Sequence, residues 1–344
     1  MIVFDINTVN DWRDAFDKFP EEVKEVFFTP EYYLNWQDHE EAEPMCVYAE
    51  IEGISFLYPF FIKEITGFDL DKSYYDISTA YGYGGVLCSE PELSDEIERK
   101  FNTQFNDWCV ENSVVAEFIR ELPYVNNQIR DARYDVVRNN VFIELTPDYI
   151  VQNRHVRKNI NKAKRNGLSW EWDPDLNHLD DYVRLYSDSF KRIDMDDYYH
   201  FPDSYYTKMR ELFKGEVGLV NVIYEEQIIN SMIVFHSYGK MACHLIGTNY
   251  DFIEVRPNDL VYQAAIDISK ELGIELISMG GGRTKDDNLF RFKEKFGNSV
   301  KDVLVGKKIL NQAVYDQLNQ QWIKKYPDFA GQFTSYFLRY RLNP

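Results

Sequence analysis

Tyr250–Gly297 reads YDFIEVRPNDLVYQAAIDISKELGIELISMGGGRTKDDNLFRFKEKFG, and the rest of the chain is organised around it. Its middle predicts a helix, because Leu260, Ala264, Ile268 and Leu272 recur at helical spacing and Gly273 stops the pattern. The run IELISM (274–279) is short, apolar and rich in branched residues, as a buried strand is. Gly280, Gly281 and Gly282 end that strand, and their backbone freedom lets a ligand approach the main chain closely. Arg283, Arg291, Lys293 and Lys295 follow. A strand that ends in glycines and then in cations makes one wall of a site for an anionic or carbonyl-bearing group. The plain alternative is a tight turn before a solvated charged helix.

Outward from this stretch, one plan occurs twice. MCVYAEIEGISFLYPFFI (45–62) reads as strand, acidic turn and strand, and so does VGLVNVIYEEQIINSMIVFHS (217–237). Aromatic helical text precedes each hairpin, FFTPEYYLNWQ (27–37) and FPDSYYTKMRELF (201–213). A helix and a strand follow each, at 91–121 and 256–279, and each half is expected to end in a further strand, 134–145 in the first and 300–310 in the second. This order predicts an α+β unit used twice. The boundary is expected near Pro147 to Asn153, giving domains 1–150 and 151–344, with the aromatic helical tail packing back on the first. No low-complexity linker separates the halves, so a shared cleft is expected, where ligand sites commonly lie.

The chain has 344 residues and a formal charge of -19, which excludes a general nucleic-acid binder. Cys46, Cys88, Cys109 and Cys243 stand far apart with no metal spacing, so no metal site and a reduced, cytoplasmic setting are expected. MIVFDINTVNDW shows no basic region followed by an apolar run, and no window is long and apolar enough to span a membrane. Peripheral membrane contact stays open. The 25 tyrosines suit a polar binding surface.

Against that acidic background, RHVRKNINKAKR (154–165) holds six Lys and Arg and no acid. Arg154, Arg157 and Lys158 lie on its polar side, while Val156, Ile160 and Ala163 mark an apolar one. It reads as a docking face for phosphates, a nucleotide or an RNA end, or else as a solvated face paired with acids elsewhere. AYGYGGVL (80–87) sets Tyr81 and Tyr83 among Gly82, Gly84 and Gly85, a loop able to hold a sugar or a peptide, or a purely structural turn.

The string LFRFKEKFG after a strand and GGG turn, preceded by HLIGTNYDF, resembles the Fem peptidoglycan-bridge aminoacyltransferases and their FemAB-like relatives. The basic helix and the AYGYGGVL loop fall in that family's order. The resemblance implies two tandem GNAT-like (acyl-CoA N-acyltransferase-type) domains and transfer of an aminoacyl or acyl group to an amine of a cell-envelope precursor. It implies that Lys293 stabilises an oxyanion, with Asp251 as the candidate general base and Asp286 and Asp287 also near the motif. Tyr250, Gly281, Gly282, Arg283 and Phe292 complete the expected substrate contacts.

No tightly bound cofactor is expected; the donor is aminoacyl-tRNA, bound by its 3′ end, or acyl-CoA or acyl carrier protein. The acceptor is a peptidoglycan or polysaccharide precursor or a nucleotide sugar. EVRPNDLVYQAA (254–265) lacks the glycines with which acetyl-CoA-dependent GNAT enzymes hold pyrophosphate, which favours aminoacyl-tRNA. The long helical arm that many Fem enzymes use toward tRNA has no heptad counterpart, which favours the other donors. An alternative of another class is a non-catalytic GNAT-pair binding protein.

Overall fold

Apolar runs that repeat in the sequence become strands with the same neighbours in two units, Met1–Val136 with Val303–Pro344, and Val137–Asp302. The computed structural model describes residues 1–125, 128–192 and 197–344. The first unit runs β1 (Ile2–Phe4), α1 (Val9–Asp17), α2 (Pro30–Glu40), β2 (Glu43–Ile51), β3 (Ile54–Glu64), β4 (Tyr75–Ser78), β5 (Leu87–Cys88), α3 (Asp95–Glu111) and β6 (Val114–Arg120). β7 (Arg133–Glu144) leads into α4 (Arg154–Arg165), β8 (Ser169–Asp173), α5 (Leu179–Arg192), α6 (Asp203–Leu212), β9 (Val217–Tyr224), β10 (Gln227–Ser237) and β11 (Lys240–Thr248). Then come α7 (Pro257–Glu271), β12 (Leu276–Gly281), α8 (Asn288–Glu294), β13 (Ser299–Ile309) and α9 (Gln312–Lys325).

Strand order in the first unit is β1-β2-β3-β4-β6-β13, with β5 also on β3; in the second it is β8-β9-β10-β11-β12-β7. The orders match strand for strand. β4 pairs with β6 in parallel, β11 pairs with β12 in parallel, and the remaining pairings within the two orders are antiparallel. Each is therefore a mixed α/β unit with one parallel step at its centre, next to the long helix α3 or α7.

The final strands correct the sequence reading. The segment 134–145 was expected to close the first half and 300–310 the second. Instead β7 pairs with β12, from Gly281↔Asn140 to Leu276↔Glu144, and β13 pairs with β6, from Val305↔Arg120 to Ile309↔Ala116. The packing units thus divide differently from the contiguous halves 1–150 and 151–344. Residue pattern marks a segment as extended; which edge it joins is decided by side-chain packing and register.

In the second unit the core gathers Val220, Val222, Val234, Leu260, Ala264, Ile268 and Ile277 around α7. That helix is buried nearly all round, and Leu272, expected on its inner face, is the exposed residue just past its end. In the first unit the tail packs on its own side: Trp322 and Tyr340 join Tyr74, Val115 and Ala116, and Arg341 donates to both oxygens of Asp76 at 2.9 Å.

Candidate functional site

The parallel step of the second unit opens. β11 and β12 pair only from Lys240↔Leu276 to Ala242↔Ser278, yet β11 continues to Thr248 along β10 and β12 continues to Gly281 along β7. Beyond Ala242 and Ser278 the two strands hold to their outer neighbours. β11 also bulges there, with Met232 opposite Ile246 but Val234 opposite Cys243, so a main-chain group leaves the ladder beside Cys243.

The glycine triplet sits at the end of β12 for reasons of space. Gly280 holds φ +70°, and a Cβ there would stand 3.3 Å from the Lys293 Nζ. A Cβ on Gly281 would collide with the Asn139 carbonyl and the Asn140 side chain, and one on Gly282 with the Asp287 carboxylate. The room beside Gly281 and Gly282, expected for a ligand, is filled by the protein's own polar atoms. Asp287 caps α8: it accepts from the N–H of Phe290 at 2.9 Å, Arg283 at 2.6 Å and Thr284 at 3.1 Å. Burial works against its charge, but these backbone donors hold its carboxyl below the usual range.

Capping in this way starts α8 so that Phe292 packs inward with Phe296 and Tyr262, ring centres 5.3–5.7 Å apart, while Lys293 turns to the glycines. Lys293 Nζ donates to the Gly281 carbonyl at 2.9 Å. Burial pushes the ammonium down to about 8; Arg138 pushes it further down and Asp287 pulls it up. The Cys243 thiol is itself pushed up to about 12 by burial, so it stays neutral at physiological pH and is no counter-ion. His244, next to it, is pushed down to about 3 by burial and pairs with the Tyr205 hydroxyl at 2.8 Å.

The basic helix lies alongside. α4 packs on α7, and Asn159 donates to Asp259 at 3.1 Å. Val156, Ile160 and Ala163 face in, and Arg154, Arg157 and Lys158 are exposed. Among the described residues none of its six Lys and Arg forms an ion pair, which removes the expectation of acids paired to that face. At the head of α7, Arg256 occupies the cap position at φ 72° with no side-chain cap, and Asn258 turns away to accept from Asn230 at 2.6 Å and Thr248 at 3.0 Å.

Of the remaining expected residues, Tyr250 lies under the Arg192 guanidinium, 5.0 Å from its ring centre, and Asp251 is exposed in the same turn between β11 and α7. Arg283 is exposed beside the triplet. Tyr81, Tyr83 and Gly84 lie in the first unit, in a loop packed against its neighbours: Tyr81 lies tilted on Trp36 at 4.9 Å, Tyr83 meets Phe27 at 5.1 Å, and Gly84 abuts Thr79. Sequence reasoning missed Cys243 and Arg138. The signal for Arg138 is the polar Arg138-Asn139-Asn140 interrupting an otherwise strand-like run. Among the described residues no cluster of His, Cys, Asp and Glu is arranged for a metal, and no helix is long and apolar enough to cross a membrane.

Residues 152–294, which hold α4, the parted strands and α8 through Glu294, match the family model of the acetyltransferase (GNAT) domain. By sequence, no curated protein matches the chain. The whole fold is similar to FemX (TM-score 0.64, 12% identity, covering 92% of this chain and 99% of that one). It is also similar to L-PGS from Bacillus licheniformis (TM-score 0.54, 12% identity, 86% and 97% covered). A third likeness is to the C-terminal domain of a protein assigned as a lysylphosphatidylglycerol synthetase from Agrobacterium fabrum (TM-score 0.53, 11% identity, 92% and 94% covered). With a GNAT acetyltransferase domain at 152–294 and its strand order present twice, the chain is an acyltransferase with a tandem GNAT fold.

Proposed function

We propose that this acyltransferase moves an aminoacyl or acyl group from an activated donor onto an amine of a cell-envelope precursor, of peptidoglycan or polysaccharide. The observation that carries the reading is Lys293, a cation held by the Gly281 carbonyl where β11 and β12 part, with two further N–H donors to give. The acceptor nitrogen attacks the acyl carbon and a C–N bond forms as the carbonyl oxygen gains charge. Lys293 donates to that oxygen. Collapse then breaks the bond to the leaving oxygen or sulfur, and the proton lost by the amine reaches the leaving group. Asp251 is exposed, so an acceptor that binds as the free amine, needing no protein base, suits this arrangement.

Arg154, Arg157 and Lys158, exposed and without an ion pair among the described residues, supply an anion-docking face, for donor phosphates or a tRNA 3′ end. The names of the fold neighbours, FemX and lysylphosphatidylglycerol synthetase, make an envelope acceptor the first to try. Tyr81, Tyr83 and Gly84 are proposed as a separate sugar or peptide contact of the first unit.

A second reading, an acyl-CoA or acyl carrier protein donor with an amino-sugar acceptor, is favoured by the match to an acetyltransferase domain. It is also favoured by the helices of the second unit, the longest described being the 15-residue α7 in the core rather than an extended arm. Thermal shift with acyl-CoAs, aminoacyl-tRNA and amino-bearing nucleotide sugars separates the donors, since a ligand at 100 times its Kd adds about 2.7 kcal/mol. One donor class and one acceptor should each raise Tm, and their mixture should yield an amide product by mass spectrometry. Binding of both with no product makes this a GNAT-pair binding protein instead.

A further inference from the structure

The second unit holds a cation whose place in the fold is otherwise unexplained. Arg138 lies on β7, half-buried, and its Nε is shielded from water without a hydrogen-bond partner. Among the described residues its guanidinium makes no hydrogen bond or ion pair at all. A buried donor left unmade is costly, roughly 1–3 kcal/mol and more for a charged group, so such a group calls for a reason.

Its position supplies one. Asn140 stands opposite Gly281 and fills the space beside it, and Arg138, two residues earlier, shares that face of β7 alongside the turn where β12 ends. Lys293 reaches the same turn through its bond to the Gly281 carbonyl. Among the described residues, the groups facing the two cations form no ion pair with them. Asp287, at the start of α8, is engaged by backbone N–H groups, and Cys243 on β11 is a thiol. Arg291 takes the carboxylates of Asp286 at 3.4 Å and Glu294 at 3.1 Å.

We infer that Arg138 and Lys293 form a two-cation receptor for an anionic group, a phosphate or a carboxylate, carried by one of the substrates. The inference rests on Lys293 lying at the acyl-transfer site but goes further: it adds Arg138 as a binding residue and requires an anion there before any oxyanion forms. A guanidinium suits the task, since its planar fork grips either anion with paired N–H bonds. Burial is the chief reason that Lys293 gives up its proton more readily than a surface lysine, and the charge of Arg138 acts in the same direction.

The test needs no turnover, so it stands or falls apart from the acyl-transfer reading. Trace acetylation of the full-length protein, followed by mass spectrometry of the Lys293 peptide across pH, gives the titration of that amine. In wild type it should centre near 8, and inorganic phosphate, acetate or both should move it upward and slow labelling at fixed pH, about tenfold for each unit moved. Arg138→Gln should raise the titration without anion and remove most of the anion response; Arg138→Lys, which keeps the charge, should restore part of it. A response to phosphate alone assigns a phosphorylated substrate, and a response to acetate as well assigns a carboxylate. If Arg138→Gln fails to fold, the wild-type response and Arg138→Lys decide. No anion response in wild type, or an Arg138→Gln protein that titrates and responds like wild type, overturns the inference.

Discussion

What stands beside the central parallel step differs between the two units although their strand order does not. In the first, Glu117 on β6 and Arg130 in the connection after it are fully shielded from water. Arg130 donates to both Glu117 oxygens at 2.8 Å and to Asn102 and Asn106, and its guanidinium lies 4.6 Å from the Phe105 ring centre. Tyr58 adds a bond to the same carboxylate at 2.9 Å. In the second unit, Arg138 and Lys293 form no ion pair among the described residues.

The helix beginnings differ in the same direction. α3 opens on a Ser94 cap followed by Asp95, Glu96 and Glu98, whereas α7 opens on Arg256 with no side-chain cap. One copy of the framework closes its charges internally, and the other leaves two cations without an ion pair among the described residues. Charge alone therefore does not distinguish the two units; charge without a partner does.

Breaking the closed side should have the largest effect. Arg130→Met strands the buried Glu117 carboxylate and should lower stability by about 3–5 kcal/mol in denaturant unfolding. A stability near wild type would dissolve the contrast. Lys293→Met probes the open side, where loss of one oxyanion-stabilising donor lowers kcat about 10²–10³-fold while the protein stays folded. Its pH behaviour sharpens the point. Because the folded ammonium titrates near 8 against an ordinary 10.5, the folded state binds fewer protons between those values, and stability rises with pH across them. Catalysis runs the other way, since it needs the ammonium: kcat should fall as pH climbs past about 8. A rate that instead rises through 8 would make Lys293 a base, and a wild-type kcat in Lys293→Met would remove it from the chemistry.

The basic helix should give a smaller, cleaner effect. Arg154→Ala with Arg157→Ala removes two exposed charges without ion pairs, so stability should stay within about ±0.5 kcal/mol. KM for the anionic substrate should rise roughly threefold to tenfold, the worth of a few exposed charge contacts, with kcat unchanged. An unmoved KM would leave α4 a solvated face.

The repeat was legible because hairpin signals are local: Glu52-Gly53 and Glu225-Glu226 mark their turns from four residues of context. The exchange of β7 and β13 was not, because 134–145 and 300–310 look alike as strands and only packing chooses their partners. Lys293 stood out through its neighbours in the chain, Phe292, Phe296 and Gly297. What surrounds it did not, because Cys243 and Arg138 arrive from separate strands, and nothing in their local text ties them to α8. The AYGYGGVL loop was visible as glycine-rich, but its packing depends on Trp36, Phe27 and Thr79, two of which come from elements read only as aromatic helical text.

The finest comparison is between the two hairpin turns. Both central residues have positive φ in each, 53° and 84° at Glu52 and Gly53, 48° and 63° at Glu225 and Glu226. This left-handed pair suits the twist of the strands it joins, and its second position favours glycine. The first unit has one there, and the second holds Glu226 in a conformation that costs a side-chain-bearing residue about 1–2 kcal/mol. Glu226 is exposed and Gly53 has open space where a Cβ would go, so packing enters neither substitution. Glu226→Gly should therefore stabilise the protein, by about 0.5–1 kcal/mol once the greater freedom of glycine in the unfolded chain is subtracted. Gly53→Ala should destabilise it by a similar amount. Denaturant midpoints at constant m-value read both, and opposite signs are required if the turns are equivalent. A destabilising Glu226→Gly would show that the second hairpin draws on its glutamates for something other than turn geometry, and the equivalence of the two hairpins would then end at their strands.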